Sequence, residues 1–137
     1  MPAVMAVGVW KNVGFYMVMY LAGLQSIPQD LHEAATLDGA GGWQRFRNIT
    51  WPLLSNQTML IVILAAIATI QAFDQIFVMT RGGPYFKTET LVMLIYRVGF
   101  NELRLGYGAA ISWTLLVLVF MLSMLQFAYF RKRAVTY

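Results

Sequence analysis

Large apolar residues run almost unbroken through three stretches of this chain, at about 2–24, 57–80 and 107–130, and the segments between them are polar and rich in turn residues. Each stretch reaches the roughly 20 residues a helix needs to cross the hydrocarbon of a bilayer. The third is the most uniform, since every residue from Leu115 to Leu122 is large and apolar. The second has a clean core from Met59 to Ile70 with polar residues beyond it, and the first is interrupted by Lys11-Asn12. A further apolar run, Leu91–Phe100, is only about ten residues long and contains Arg97 and Gly99, too short to span as a helix. It predicts a short helix at the membrane surface, with Thr88 or Thr90 as its N-cap. Arg81-Gly82-Gly83-Pro84 ahead of it is a turn signal. The pattern predicts an all-α integral membrane chain: three transmembrane helices, a connecting loop at about 26–53 and a second loop at about 81–106. No internal repeat, low-complexity tract or soluble domain is visible.

Composition agrees. Of 137 residues, 59% are hydrophobic and 12% charged, whereas soluble domains carry about 25% charged residues. The absence of cysteine excludes disulfides and thiol chemistry. A net charge of +4 raises the question of nucleic acid. The basic residues, however, are scattered over loops and a tail and form no stripe beside aromatics, so they read as loop charges and membrane-end anchors. His32 stands alone, without a second metal ligand nearby. The nine methionines read as lipid-facing or core filler. No glycine–lysine phosphate loop, catalytic triad or metal cluster is present, so no enzyme activity, cofactor or metal is expected on this chain.

The loop at 26–53, SIPQDLHEAATLDGAGGWQRFRNITWPL, is built as a small helix–turn–helix. Ser26 can cap a helix, Gln29 stands three residues on as in a capping box, and Pro28 is tolerated in a first turn. The helix then runs through Leu31, Ala34, Ala35 and Leu37. Asp38-Gly39 and Gly41-Gly42 break it, since glycine reaches positive φ without strain. A second short helix carries Trp43, Phe46 and Ile49 at i, i+3 and i+6, and Pro52 ends or bends it ahead of the next span. An element that is apolar on one side and charged on the other suits insertion into a partner's groove.

Glu33-Ala34-Ala35, Asp38-Gly39-Ala40, Trp43, Phe46, Ile49 and Pro52 together resemble the EAA loop of the membrane subunits of ABC importers, in particular the carbohydrate-uptake permeases. Leu21–Pro28 before the loop, and Phe73-Asp74-Gln75-Ile76 with Gly82-Gly83-Pro84 after it, extend the resemblance over essentially the whole chain. It differs from the usual family pattern at Trp51, where leucine commonly precedes the proline. The resemblance implies that the loop docks into a cleft of a cytoplasmic ATP-binding subunit. Glu33 would contact that subunit and Gly39 would allow the sharp turn, with Ala34, Ala35, Asp38, Phe46, Ile49 and Pro52 completing the coupling motif. It also implies a second permease subunit, an extracytoplasmic solute-binding protein, and about six spans in a complete permease. On that reading the chain corresponds to a C-terminal half.

Polar groups inside the spans need a reason, because an ionisable residue at mid-span costs roughly 2.5–3.5 kcal/mol on insertion scales. Gln71, Asp74 and Gln75 fall at i, i+3 and i+4, on one face of a continuous second span. They read either as a polar wall of the substrate path or as a wetted membrane boundary. By helical rise Lys11 lies about 12 Å below one end of the first span, and Asp74 about 9 Å below the same side of the second. A Lys11–Asp74 pair is conceivable, but a later start of the first span with Lys11 snorkelling outward is favoured over it. Gly106, Gly108, Ala109, Ala110 and Ser112 make the start of the third span narrow, which permits close helix packing.

Three crossings put the termini on opposite sides. Arg131-Lys132-Arg133 follow Phe127, Tyr129 and Phe130 at a helix end and favour a cytoplasmic C-terminus in a prokaryotic plasma membrane, with the N-terminus of the chain outside. By that assignment the inner segments hold Arg45, Arg47, Arg131, Lys132 and Arg133, against Arg81, Lys87, Arg97 and Arg104 in the outer loop. The expected function is ATP-driven import of sugars or related solutes. The competing expectation is a small self-standing membrane protein, a pore or assembly factor, or a truncated permease.

Overall fold

The computed structural model describes residues 2–131, with the side chain of Arg131 excluded. Lys132 and Arg133, part of the basic tail used to orient the chain, lie outside the described residues. All regular structure among the described residues is helical. Helix α1 is Pro2–Gln25, α2 Gln29–Leu37, α3 Gly42–Arg45, α4 Trp51–Leu53, α5 Ser55–Ile70, α6 Asp74–Thr80, α7 Leu91–Tyr96 and α8 Leu105–Arg131. Widened π turns join α3 to α4 over Phe46–Thr50 and extend α7 over Arg97–Asn101.

Three segments are long and apolar enough to cross a membrane: Pro2–Gln25, Ser55–Thr80 and Leu105–Phe130. Their large side chains mostly remain exposed, Trp10, Met17, Trp113, Phe120 and Leu125 among them. A helix that is apolar all round, as α8 is, needs an apolar surrounding rather than a water-facing side.

The second span is not one helix. α5 ends at Ile70, Gln71–Phe73 make no regular turn, and α6 resumes at Asp74. Gln71 N–H still bonds back to Ile67 O at 3.0 Å, whereas Ala72 N–H reaches only Thr69 O at 3.3 Å. Thr90 Oγ1 donates to Ala72 O at 3.2 Å, which replaces part of what the break takes from the helical ladder. Irregular backbone at membrane depth is tolerated where protein covers it, and Ala72 and Phe73 pack on the buried cluster of Val4, Ile76 and Met93.

α7 lies across this point. Thr90 is its N-cap, its hydroxyl accepting from Met93 N at 3.4 Å. Thr88 plays another part: its hydroxyl donates to Gly83 O at 2.9 Å and lies 2.8 Å from Thr80 Oγ1, closing the turn that follows α6. That turn starts with Arg81 in the left-handed region (φ 47°). Arg97 forks onto Glu89, Nε–Oε1 2.8 Å and Nη2–Oε2 3.2 Å, and its Nη1 reaches Glu102 Oε1 at 2.8 Å. The hydrogen bond to Glu89, then the fields of Glu89 and Glu102, hold the guanidinium above its ordinary pKa against the opposing effect of desolvation.

α8 packs on α7, on the Arg97–Asn101 turn and on α5. It comes close at Gly108, where a Cβ would stand 3.1 Å from Gly99 Cα. Small residues at the head of the third span thus do what their size suggested, with Gly108 rather than Gly106 at the contact.

Candidate functional site

Between the first two spans the chain forms α2, a turn at Asp38–Gly41 and the short helix α3, with details that differ from expectation. Ser26 does not cap α2: its hydroxyl donates to Gly23 O at 2.7 Å, continuing the end of α1. Pro28 occupies the cap position of α2, and its side chain makes no capping bond. The reason is local, since a serine hydroxyl following a helix finds the carbonyl three residues back before it finds a new N-terminus.

α2 ends at Leu37, and Asp38 and Gly39 return their N–H groups to Ala34 O and Thr36 O at 3.0 and 3.1 Å. Gly39 sits at φ 75° with nothing within 4 Å of where a Cβ would be. Its identity answers a backbone demand, not a space limit. Gln44 Oε1 accepts from Gly41 N at 3.0 Å and starts α3. Arg45 Nη1 donates to Thr36 Oγ1 at 2.9 Å, which ties α3 back to α2 across the turn.

Trp43 and Phe46 stack with ring centroids 5.7 Å apart, and Trp51 adds a tilted contact to Phe46 at 6.2 Å. Ile49 is half-buried. Pro52 does not end the second helix. The chain widens into a π turn ahead of it, with Trp51 N–H bonding Phe46 O, and continues through α4 into α5 with a bend at Leu54 (ψ −2°). A proline lacking its N–H is accommodated by such a local rearrangement.

The motif residues therefore divide. Glu33, Ala34 and Asp38 are exposed and Ala35 is half-buried on α2 and its end. Gly39 makes the turn. Phe46, Ile49 and Pro52 shape the connection into the second span. Leu37 (89% exposed) and Trp43 (72%) present large apolar surface beside these charges.

The polar residues of the second span do not share one helical face, because the break at Gln71–Phe73 intervenes. Gln71 borders an open cleft of about 440 Å³ along α8, with Ser112, Leu115, Val119 and Ser123 on the opposite wall. Gln75 lies over Gly8, and Asp74 pairs with Lys11, Nζ–Oδ2 3.3 Å. Lys11 thus reaches Asp74, the less favoured of the two expectations, with both side chains largely exposed.

Two features escaped the sequence reading. Gln57 Nε2 donates to Met19 O at 2.9 Å, a bond between spans whose only signal is an amide at the head of an apolar run. Phe73, Phe77, Tyr96 and Phe100 form a chain of ring contacts with centroids 5.1 to 5.8 Å apart. Aromatics were visible in both segments, but their meeting requires α7 to fold back on α6.

Comparison with known proteins gives this arrangement its context. Residues 1–135 match the family model described as the binding-protein-dependent transport system inner membrane component. The chain belongs to this permease family. Among relatives, the sn-glycerol-3-phosphate transport system permease protein UgpA of Agrobacterium fabrum is 42% identical over 97% of this chain and 46% of its own length. The sulfoquinovosyl glycerol transport system permease protein SmoG of the same organism is 45% identical over 85% of the chain and 36% of its own length. A Caldicellulosiruptor protein provisionally named as an ABC transporter permease, ORF1, is 38% identical over 96% of the chain and 92% of its own length. The chain thus spans less than half of UgpA and SmoG and nearly all of ORF1. With three apolar helices of spanning length, this permease-family chain is a multi-pass membrane protein.

Proposed function

We propose that the chain is part of the transmembrane permease of an ATP-driven, binding-protein-dependent importer for sugars or related polyols. In this reading the α2–α3 loop faces the cytoplasm and docks into a cleft of an ATP-binding subunit. ATP hydrolysis takes place on that subunit, not on this chain. Glu33 and Asp38 supply charge at the contact, Leu37 and Trp43 supply apolar surface, and Gly39 sets the angle between the two short helices. Ala34 and Ala35 keep the α2 face thin enough for close approach. Phe46, Ile49 and Pro52 carry displacement from the loop into α5.

The observation that supports this best is the exposed, internally braced turn at Asp38–Gly42. The Arg45–Thr36 and Gln44–Gly41 bonds hold its shape while its large apolar residues stay uncovered. A rigid loop pushed by a partner transmits motion; a slack one absorbs it. Partners on this reading are ATP-binding subunits, a second permease subunit and an extracytoplasmic solute-binding protein. Gln71, Asp74 and Gln75 lie along the substrate path, where amides and a carboxylate can bond sugar hydroxyls. Relatives named for glycerol phosphate and for a sulfoquinovosyl glycerol support a small hydroxylated cargo.

Co-purification tests the docking. The chain solubilised from its own membranes should bring down an ATP-binding subunit, and Glu33→Arg or Gly39→Val should lose it while membrane insertion persists. Equal recovery from wild type and both variants would refute docking through this loop.

A further inference from the structure

α1 meets the second span at two places, on opposite sides of the break. Near the α2 loop, Gln57 bonds Met19 O, and Gly23 lies close under Gln57, whose Cγ would be 2.9 Å from a Cβ there. At the far end, Gly8 lies under the Gln75 amide (Nε2 2.8 Å from where a Cβ would be), Val4 packs with Ile76, and Lys11 pairs with Asp74. α6 is bound in turn to the loop and helix after it. Thr90 bonds Ala72 O, the Thr80 and Thr88 hydroxyls meet at 2.8 Å, Met93 packs with Ile76, and Phe73 and Phe77 contact Tyr96. α6 with its loop therefore forms a unit linked to α7, which itself packs on α8, and it joins α5 through the irregular residues 71–73.

We propose that Lys11 and Asp74 are positioning residues for transport. Their ion pair holds this unit against α1, and its rupture accompanies opening of that end of the path. The proposal rests on the importer reading above, and it adds a named contact and a hinge to it.

Apolar contacts between spans gain nothing from exclusion of water when the surrounding is lipid, and they permit sliding. Gly8 under Gln75 allows close approach but does not enforce it. The charge pair, by contrast, fixes one register between α1 and α6. Separating it into hydrocarbon leaves two uncompensated charges, which is costly, whereas separating it into a water-filled path hydrates both. In this structure the pair is made with both side chains largely uncovered by this chain (54% and 78% exposed), so the unit is held either with the pair made or with it broken and both charges hydrated, and separation without water is disfavoured. Packed elements with two such arrangements, hinged at a few irregular residues, are the usual basis of a switching motion.

Spin labels at V9C on α1 and V78C on α6, both exposed positions, would follow the distance between the two helices with the chain in lipid nanodiscs without nucleotide. The native pair should give one narrow distribution. D74N and K11Q should broaden it toward longer distances, and the swap K11D/D74K should restore it. In the assembled importer, each single charge reversal should lower transport by about tenfold or more, a typical size for coupling between sites, with the swap recovering most of the loss. Unchanged distances in D74N, or a double swap no better than its single parents in both measurements, would overturn the proposal. The distance measurement requires no ATP-binding subunit, so failure of the docking reading shows separately, as failed co-purification of the unmodified chain.

Discussion

Replacing Gly108 by alanine tests a close backbone-to-backbone contact between α8 and the Arg97–Asn101 turn. The added Cβ would stand 3.1 Å from Gly99 Cα and 3.4 Å from Gly99 N, with Ile95 O at 3.8 Å. All three are backbone atoms, so no side-chain rotation relieves the clash; α8 must move away from the Arg97–Asn101 turn. Overpacking of this kind costs about 1–3 kcal/mol. The gain from replacing a helical glycine by alanine is about 0.5–1 kcal/mol in a helix interior, and less at Gly108 in the first turn. The net expectation is a loss of roughly 1–2 kcal/mol. The controls are internal. Gly106, two residues earlier on α8, and Gly99 itself have nothing within 4 Å of a built Cβ. Gly106→Ala and Gly99→Ala, which meet no clash, should therefore be neutral or stabilising by up to about 1 kcal/mol. Reversible unfolding in mixed micelles, followed by tryptophan fluorescence, gives the three values on one scale. If Gly108→Ala proves no less stable than Gly106→Ala, the contact does not govern α8 packing and the reasoning fails.

Other expectations are smaller or more local. Gly39→Asn should preserve the turn and co-purification with the ATP-binding subunit, whereas Gly39→Val, at φ 75°, should carry a backbone penalty above the roughly 1–2 kcal/mol of an ordinary residue in the left-handed region and lose the partner. Equal behaviour of the two would remove the backbone argument. Thr90→Ala deletes both the N-cap of α7 and the bond to Ala72 O, and should cost about 0.5–2 kcal/mol. Faster amide exchange confined to residues 71–73 and 91–93 is its signature. Gln57→Leu removes the bond to Met19 O and should cost only about 0.6 kcal/mol, the mean for hydrogen bonds between membrane helices. A loss several times larger in the same unfolding assay would mean that Gln57 holds more than one carbonyl.

Membrane insertion was legible in the chain because it depends on local quantities, length and hydrophobicity, and the surroundings enter only as a uniform apolar medium. The three spans, the short helix after Thr90 and the turn at Arg81–Pro84 all derive from composition within local windows, from four residues for the turn to about twenty for a span. The α2–α3 loop was legible for a similar reason. Helix, glycine turn and helix are set by neighbours in sequence, and the motif from Glu33 to Pro52 carries the family assignment, which the comparisons establish independently.

Relations between groups far apart in the chain needed the folded molecule. An unbroken helix through Gln71, Asp74 and Gln75 is the expectation from hydrophobic periodicity. The break is made tolerable by Thr90, eighteen residues later, which supplies a hydroxyl to Ala72 O. Once α5 ends, the i, i+3, i+4 relation ceases to place the three polar residues on one face, and Gln71 turns to α8 while Asp74 turns to α1. Lys11 likewise has no local reason to choose pairing over snorkelling. Its partner lies 63 residues away, and the choice depends on α1 starting at Pro2 and on Gly8 letting α6 come close. Burial in lipid is a property of single residues and reads out from the sequence. A hydrogen bond or ion pair inside the membrane belongs to two residues at once, and only the packing of the spans brings them together.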